Sequence, residues 1–344
     1  MSATLKYANV EFYRGLAILV VVLYHFHDLL PFGYVGVDLF FVISGFLVSK
    51  PLIAQFCHDD AIDTRGFWIR RAYKILPSYY FYLLVAFGTL WLLGLKVDKQ
   101  VFTWSYISRF VFIFRNYLNG PFCFALDHIW SLCIEVHFYL LLPIAFRIVK
   151  RKRNENVDFL IKLCLCAMLG TYLVKLVSIQ SGIAEGQATT HHRMDALLWG
   201  VLLSLLEYQK GWFYHRFFQR AWMAWAGAFV VVSVWFAKCN YSLPLVWEHS
   251  LYPIGFAMLL AGSIHRQFKH TGWVKLMAKY SYNWYLWHPL MFVVQVNYIP
   301  NQWLFFLVYV VSSFGMAVTS THFIEYYFYS MKEKVLVGKK QKVV

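Results

Sequence analysis

Arg14 and His25 close the two ends of an aliphatic run, RGLAILVVVLYH, of the kind that enters lipid. An ionisable side chain inside a membrane span costs several kcal/mol and is retained for a function. The two residues are eleven positions apart. At ~100° per residue that is three full turns plus about 20°, so both side chains fall on one helix face, roughly 16 Å apart along the axis. That face reads as the wall of a polar path. Histidine is also the side chain suited to moving a proton near neutral pH. Other ionisable groups sit in apolar runs: Asp38, Glu135, the pair Arg193 and Asp195, His288 and Glu325.

Each has a plainer reading beside the chemical one. Arg14 could snorkel to the interface and set orientation. His25 could be packed against a backbone carbonyl, and His27, nearer the interface, reads best that way. Glu135 needs a partner or a proton. Arg193 and Asp195 could be a simple pair at a helix end, and His288, which precedes Pro289, could mark a helix break. His191 and His192 look like a metal pair, but no second ligand set has suitable spacing, so they read as loop histidines and no metal is expected. The segment GFWIRRAYKILP (66–77) reads as a cytoplasmic loop, and it puts Arg71 and Lys74 three apart, on one face if helical. With aromatics beside them these cations suit a phosphate-bearing, planar ligand. Anionic lipid is the alternative.

The elements that position these groups follow from composition. The chain has 344 residues, 60% hydrophobic and only 14% charged. Soluble domains carry about 25% charged residues, so the expectation is an all-α, polytopic membrane helix bundle. Ten apolar runs approach the ~20 residues a span needs: 10–30, 34–56, 76–95, 129–149, 157–178, 193–210, 220–238, 246–264, 279–299 and 302–326. Segment 101–118 is aromatic but holds Arg109 and Arg115, and reads as an interfacial helix. The first run is retained, without a cleavage site. The cysteines form no CxxC pair, and Cys164 and Cys166 read as small buried hydrophobes.

With the N-terminus in the cytoplasm, the inner segments collect Arg65, Arg70, Arg71 and Lys74, then the 147–153 cluster, then Lys210, Arg216, Arg220, Arg266, Lys269, Lys275, Lys279 and the basic tail 331–344. The outer segments hold only Lys96, Lys99, Arg109, Arg115, Arg193 and Lys238. This positive-inside pattern puts both termini in the cytoplasm. It accounts for the net charge of +15 without a nucleic-acid partner. His25 then lies about five residues, roughly 7–8 Å, below the outer end of its span, and Glu135 at similar depth.

The chain resembles the acyltransferase-3 family of integral membrane acyltransferases. Arg14 and His25 match its basic residue, ten residues, then histidine. GVDLFFVISGFL matches its second-span motif, FWIRRAYKILP its cytoplasmic basic loop with Lys74 in the second basic place, and WSLCIEVHFY the motif that carries Glu135. RMDALLWG, SYNWYLWHPL and the terminal Glu325 complete the series. The chain departs in using Lys74 for arginine, which loses the bidentate fork, and in the surroundings of Glu325. The resemblance implies one membrane acyltransferase domain over 1–330, in the stand-alone form without an appended esterase-like domain, in a bacterial cytoplasmic (inner) membrane. It implies transfer of an acyl group, most often acetyl, from cytoplasmic acyl-CoA (acetyl-CoA) to a hydroxyl of a surface polysaccharide, oligosaccharide or lipid-linked sugar, with membrane lipid as the surrounding partner. On that basis His25 is the expected general base and Glu135 its supporting carboxylate. Arg14, Arg71 and Lys74 are expected to hold the donor, and Asp38, Arg193, Asp195 and His288 the acceptor. The rival is a proton-coupled transporter or flippase of a surface-glycan precursor that uses the same ionisable column.

Overall fold

A computed structural model describes residues 8–337 except 27–28, 60, 96, 119, 153–155, 182–187, 219, 242, 267, 269–271 and 297. The expectations for His27, Lys96, Arg153, Lys269 and the tail beyond 337 fall outside the described residues, as do the side chains of Arg151 and Lys152.

The described residues form helices and turns, with no strand among them: α1 (Ala8–His25), α2 (Gly36–His58), α3 (Thr64–Leu92), α4 (Trp104–Val111), α5 (Phe124–Asp127), α6 (Trp130–Lys152), α7 (Val157–Gln180), α8 (Thr190–Gln209), α9 (Trp212–Phe217), α10 (Ala221–Tyr241), α11 (Leu245–Ser263), α12 (Gly272–Gln295), α13 (Gln302–Ser320) and α14 (Tyr326–Val337). A π-helical turn, Thr321–Glu325, joins the last two. Several starts are capped in the ordinary way, the side chain of Asp63 accepting from the Gly66 amide and that of Asn301 from the Leu304 amide.

Each of the ten expected spans falls on a helix. Six stretches, in α2, α3, α6, α7, α10 and α13–α14, are long and apolar enough to cross a membrane. The other four helices, α1, α8, α11 and α12, are those that carry Arg14 and His25, Arg193 and Asp195, Glu248 and His249, and Asn283 and His288. The 101–118 segment does not span: α4 has eight residues, about 12 Å against the ~30 Å hydrocarbon core. The expected loop 66–77 is instead the first part of α3. Residues 331–337, read as tail, belong to α14.

The chain clusters into two compact units. Unit 1 holds 1–24, 28–62 and 134–279; unit 2 holds 25–27, 63–133 and 280–344. In unit 1, α2 and α8 run parallel at backbone contact. A Cβ on Gly45 would lie 1.9 Å from the Leu197 carbonyl oxygen, and one on Gly200 would lie 2.0 Å from that of Val42. Small residues at both crossings permit this approach. Cys164 is buried on α7, whereas Cys166 is exposed, contrary to expectation. In unit 2, Phe26 is 3% exposed and wedged among Phe292, Phe305, Phe306 and Tyr309, with ring centroids 5.0 Å from Phe305 and 5.5 Å from Tyr309. That wedge pins the residue next to His25.

Candidate active site

His25 is the last residue of α1, not five residues inside a longer span. The helix is continuous from Ala8, so the eleven-residue spacing keeps Arg14 and His25 on one face. Within unit 2 the His25 ring lies 4.9 Å from that of His288 and 5.7 Å from that of Phe124. His288 sits inside α12, which continues past Pro289 to Gln295, so there is no helix break. Its Nδ1 donates to the Trp284 carbonyl at 3.1 Å. His128, which caps α5, is 5.7 Å from His288. Tyr285 holds that turn in place: its hydroxyl donates to the His128 carbonyl at 2.7 Å and lies 2.6 Å from the Ser131 hydroxyl. Trp284 is held in turn by Ser313 at 3.0 Å. The result, within unit 2, is three imidazoles, His25, His128 and His288, in an aromatic surround.

Near the start of α3, also in unit 2, Arg71 and Lys74 fall on one helical face as predicted. Arg71 lies over the Phe67 ring at 5.8 Å. Lys74 is 39% exposed and pairs with the buried Glu325. The second oxygen of Glu325 accepts from Asn283 at 3.0 Å, and Asn283 also donates to Thr321 at 2.8 Å. Glu325 therefore sits on the π turn that joins α13 to α14 and is committed to Lys74 and Asn283. Such turns recur at functional sites.

In unit 1 the predicted acceptor residues form buried ion pairs. Arg193 donates to Asp38 at 2.6 Å, the two side chains being 3% and 1% exposed. Asp195 accepts from Lys175 at 2.5 Å, and Lys175 also reaches Ser250 at 3.2 Å. Arg193 and Asp195 thus each take a partner from another helix, which replaces the simple-pair reading. A third pair is Glu248, fully buried, which accepts from Lys238 at 2.7 Å and from Tyr34 at 2.5 Å. Glu135, on α6, accepts from Tyr139 one turn on at 3.2 Å, and the Tyr139 hydroxyl meets Ser44. Arg14 is half-buried on α1.

His191 and His192 lie in the first turn of α8, not in a loop. Both nitrogens of His192 are used, by Thr189 at 2.7 Å and Ser178 at 2.9 Å. Burial, and then His192, hold His191 below the ordinary histidine value. Among the described residues no group of three or more His, Cys, Asp or Glu is arranged to hold a metal ion.

The structure brings together His25 with His288, Asp38 with Arg193, and Lys74 with Glu325. His25 and Glu135 fall in different units. Sequence reading passed over Lys175, Glu248, His128 and Asn283. The rule that singled out Glu135 applies equally to Lys175 and Glu248, each an ionisable residue inside an apolar run. His128 and Asn283 carry no such signal.

Comparison with known proteins agrees with the motifs. The chain is 27% identical over 314 residues to the O-acetyltransferase OatA of Staphylococcus aureus strain NCTC 8325, covering 84% of this chain and 51% of that protein. It is 32% identical over 209 residues to a putative O-acetyltransferase of S. aureus strain COL, covering 56% of this chain and 33% of that protein. The chain spans about half the length of the OatA relatives it matches. No solved structure matches. Residues 7–322 match the acyltransferase domain of the acyltransferase-3 type, so the chain, an all-α integral membrane protein, belongs to that family.

Proposed function

We propose that the protein transfers an acyl group, acetyl foremost, from cytoplasmic acyl-CoA to a hydroxyl of a surface glycan or glycolipid. The observation that carries this reading is the His25 ring, half-buried at the end of α1 beside His288, in a chain of an acyltransferase family. The relatives, named as O-acetyltransferases, support the acetyl group and an oxygen acceptor.

His25 is the general base. A neutral imidazole takes the acceptor hydroxyl's proton as the oxygen attacks the thioester carbonyl, and returns it to the departing thiolate. Glu135 is assigned the supporting carboxylate's part, its charge favouring the transient imidazolium. Arg71 and Lys74 bind phosphate groups of coenzyme A, and Arg14, on the face that leads to His25, holds the pantetheine arm or a phosphate. Asp38, Arg193 and Asp195 of unit 1, and His288 of unit 2, are the residues assigned to the acceptor. The site lies in a single membrane domain over 1–330 of the bacterial inner membrane, with both termini in the cytoplasm.

The deciding experiment uses proteoliposomes with labelled acetyl-CoA on the basic side and extracted surface glycan of the host cell on the other. Label appearing in the glycan supports the reading. Proton-coupled flux of a glycan precursor without acyl transfer overturns it in favour of a transporter.

A further inference from the structure

Three buried ring nitrogens beside His25 have no hydrogen-bond partner: His288 Nε2 and both nitrogens of His128. Leaving a buried polar atom unmatched costs about 1–3 kcal/mol, so each such atom calls for a physical reason. Two facts separate His288 from His128. The first is its tautomer. A carbonyl oxygen only accepts, so the bond to Trp284 puts the hydrogen on Nδ1, and the neutral ring then carries its lone pair on Nε2. Neither His128 nitrogen has a partner to fix it. The second is position: the His288 ring is 0% exposed and lies 4.9 Å from His25 at an interplanar angle of 68°.

We infer that His288 is the positioning residue for His25: its Nε2 lone pair accepts the N–H of His25 and so decides which His25 nitrogen is left as the base. This rests on the reading of His25 as general base. Catalytic hydrogen bonds often close only in the substrate complex, and a rotation of the His25 ring brings its N–H to Nε2. The chain of contacts then runs from the Trp284 carbonyl through His288 to His25 and the acceptor hydroxyl.

In the transfer step the acceptor O–H breaks and its proton goes to the His25 nitrogen that does not face His288. The oxygen forms a bond to the thioester carbon, the carbon–sulfur bond breaks, and its electron pair stays on sulfur. The proton then passes from His25 to the thiolate. The N–H directed at His288 remains on His25 throughout. Glu135 retains the electrostatic part of its role, and the tautomer is set by His288.

The test uses the full chain in nanodiscs, labelled acetyl-CoA, and extracted surface glycan as acceptor. His288→Leu removes the acceptor atom; His288→Gln keeps a carboxamide oxygen close to the place of Nε2. The leucine variant is expected to lose about 10²-fold in kcat with donor KM unchanged, and the glutamine variant to stay within about tenfold of the parent. Adding His288→Leu to His25→Ala should cost little more, as expected for groups that act as one unit. Near-parental turnover in His288→Leu, with His25→Ala inactive, overturns the inference and leaves the general base standing. Equal losses in the leucine and glutamine variants, both folded by thermal unfolding, also overturn it, because a purely structural histidine behaves that way. If the leucine variant does not fold, His288→Met is read in its place. Parental turnover in a folded His25→Ala overturns the underlying reading instead.

Discussion

The buried carboxylates of unit 1 and the buried imidazoles of unit 2 are handled in different ways. In unit 1 the carboxylates of Asp38, Asp195 and Glu248 each have a cation within 2.7 Å, supplied by Arg193, Lys175 and Lys238. In unit 2 the imidazoles of His128 and His288 keep ring nitrogens with no partner. An ionised group in a low-dielectric interior must be compensated, or it shifts to its neutral form. A neutral imidazole can be left unmatched at smaller cost and keeps its lone pair for a reaction. The paired charges therefore hold α2, α7, α8, α10 and α11 in a fixed arrangement, while the unmatched rings are where bond-making is expected.

The largest effect should come from the histidine side. His25→Ala is expected to lower turnover about 10²–10⁴-fold, the usual worth of a general base, with the thermal midpoint nearly unchanged. Initial rates and thermal unfolding of the purified variant check both halves. Glu135→Gln should lower turnover by less, again with donor KM unchanged; an effect confined to stability would assign Glu135 to the contact with Tyr139 and Ser44 alone.

The paired side should fail differently. Arg193→Met strands the Asp38 carboxylate and is expected to destabilise the protein by about 3–5 kcal/mol. Asp38→Leu combined with Arg193→Met removes both charges and should recover most of that loss. If the double variant unfolds as readily as the single one, the pair does more than compensate charge, and a direct part in holding the acceptor gains weight.

A smaller shift is expected at the basic turn of α3. Arg71→Ala with Lys74→Ala should raise the donor KM about tenfold with little change in kcat, since such contacts contribute mainly binding. Lys74→Arg keeps the charge and the partnership with Glu325, and should stay close to the parent. Unchanged donor kinetics in the double alanine variant would return this turn to lipid anchoring. The smallest signal is an expected silence. A cysteine placed at Arg147 or Lys150 should resist an impermeant thiol reagent added to intact cells, because the proposed orientation puts the basic segments in the cytoplasm. Strong labelling there would invert which end of each unit meets the donor.

Many of the candidate residues were legible in the sequence. Ionisable groups stand out against aliphatic runs because lipid tolerates few of them, so Arg14, His25, Glu135, Arg193 and Asp195 could be picked by type and position. Helix ends were less legible. α1 stops at His25 because Phe26 is captured by the aromatic cluster of unit 2, and α3 begins at Thr64 because Asp63 caps it and the basic turn that follows is helical. Hydropathy registers the apolar run and takes no account of what packs beyond it.

By itself the sequence determined the all-α class, the family and the places of ten helices, and it offered a partial set of candidate side chains, because apolar periodicity and composition are local properties. Only the tertiary structure decided which of those side chains are already satisfied. Asp38 meets Arg193 across 155 residues because Gly45 and Gly200, each seven residues further along, let α2 and α8 touch in register. His288 is left with a bare Nε2 because its other nitrogen finds the Trp284 carbonyl on its own helix. The partner of a buried polar group is chosen by helices packed at short range, and no local pattern along the chain encodes that choice.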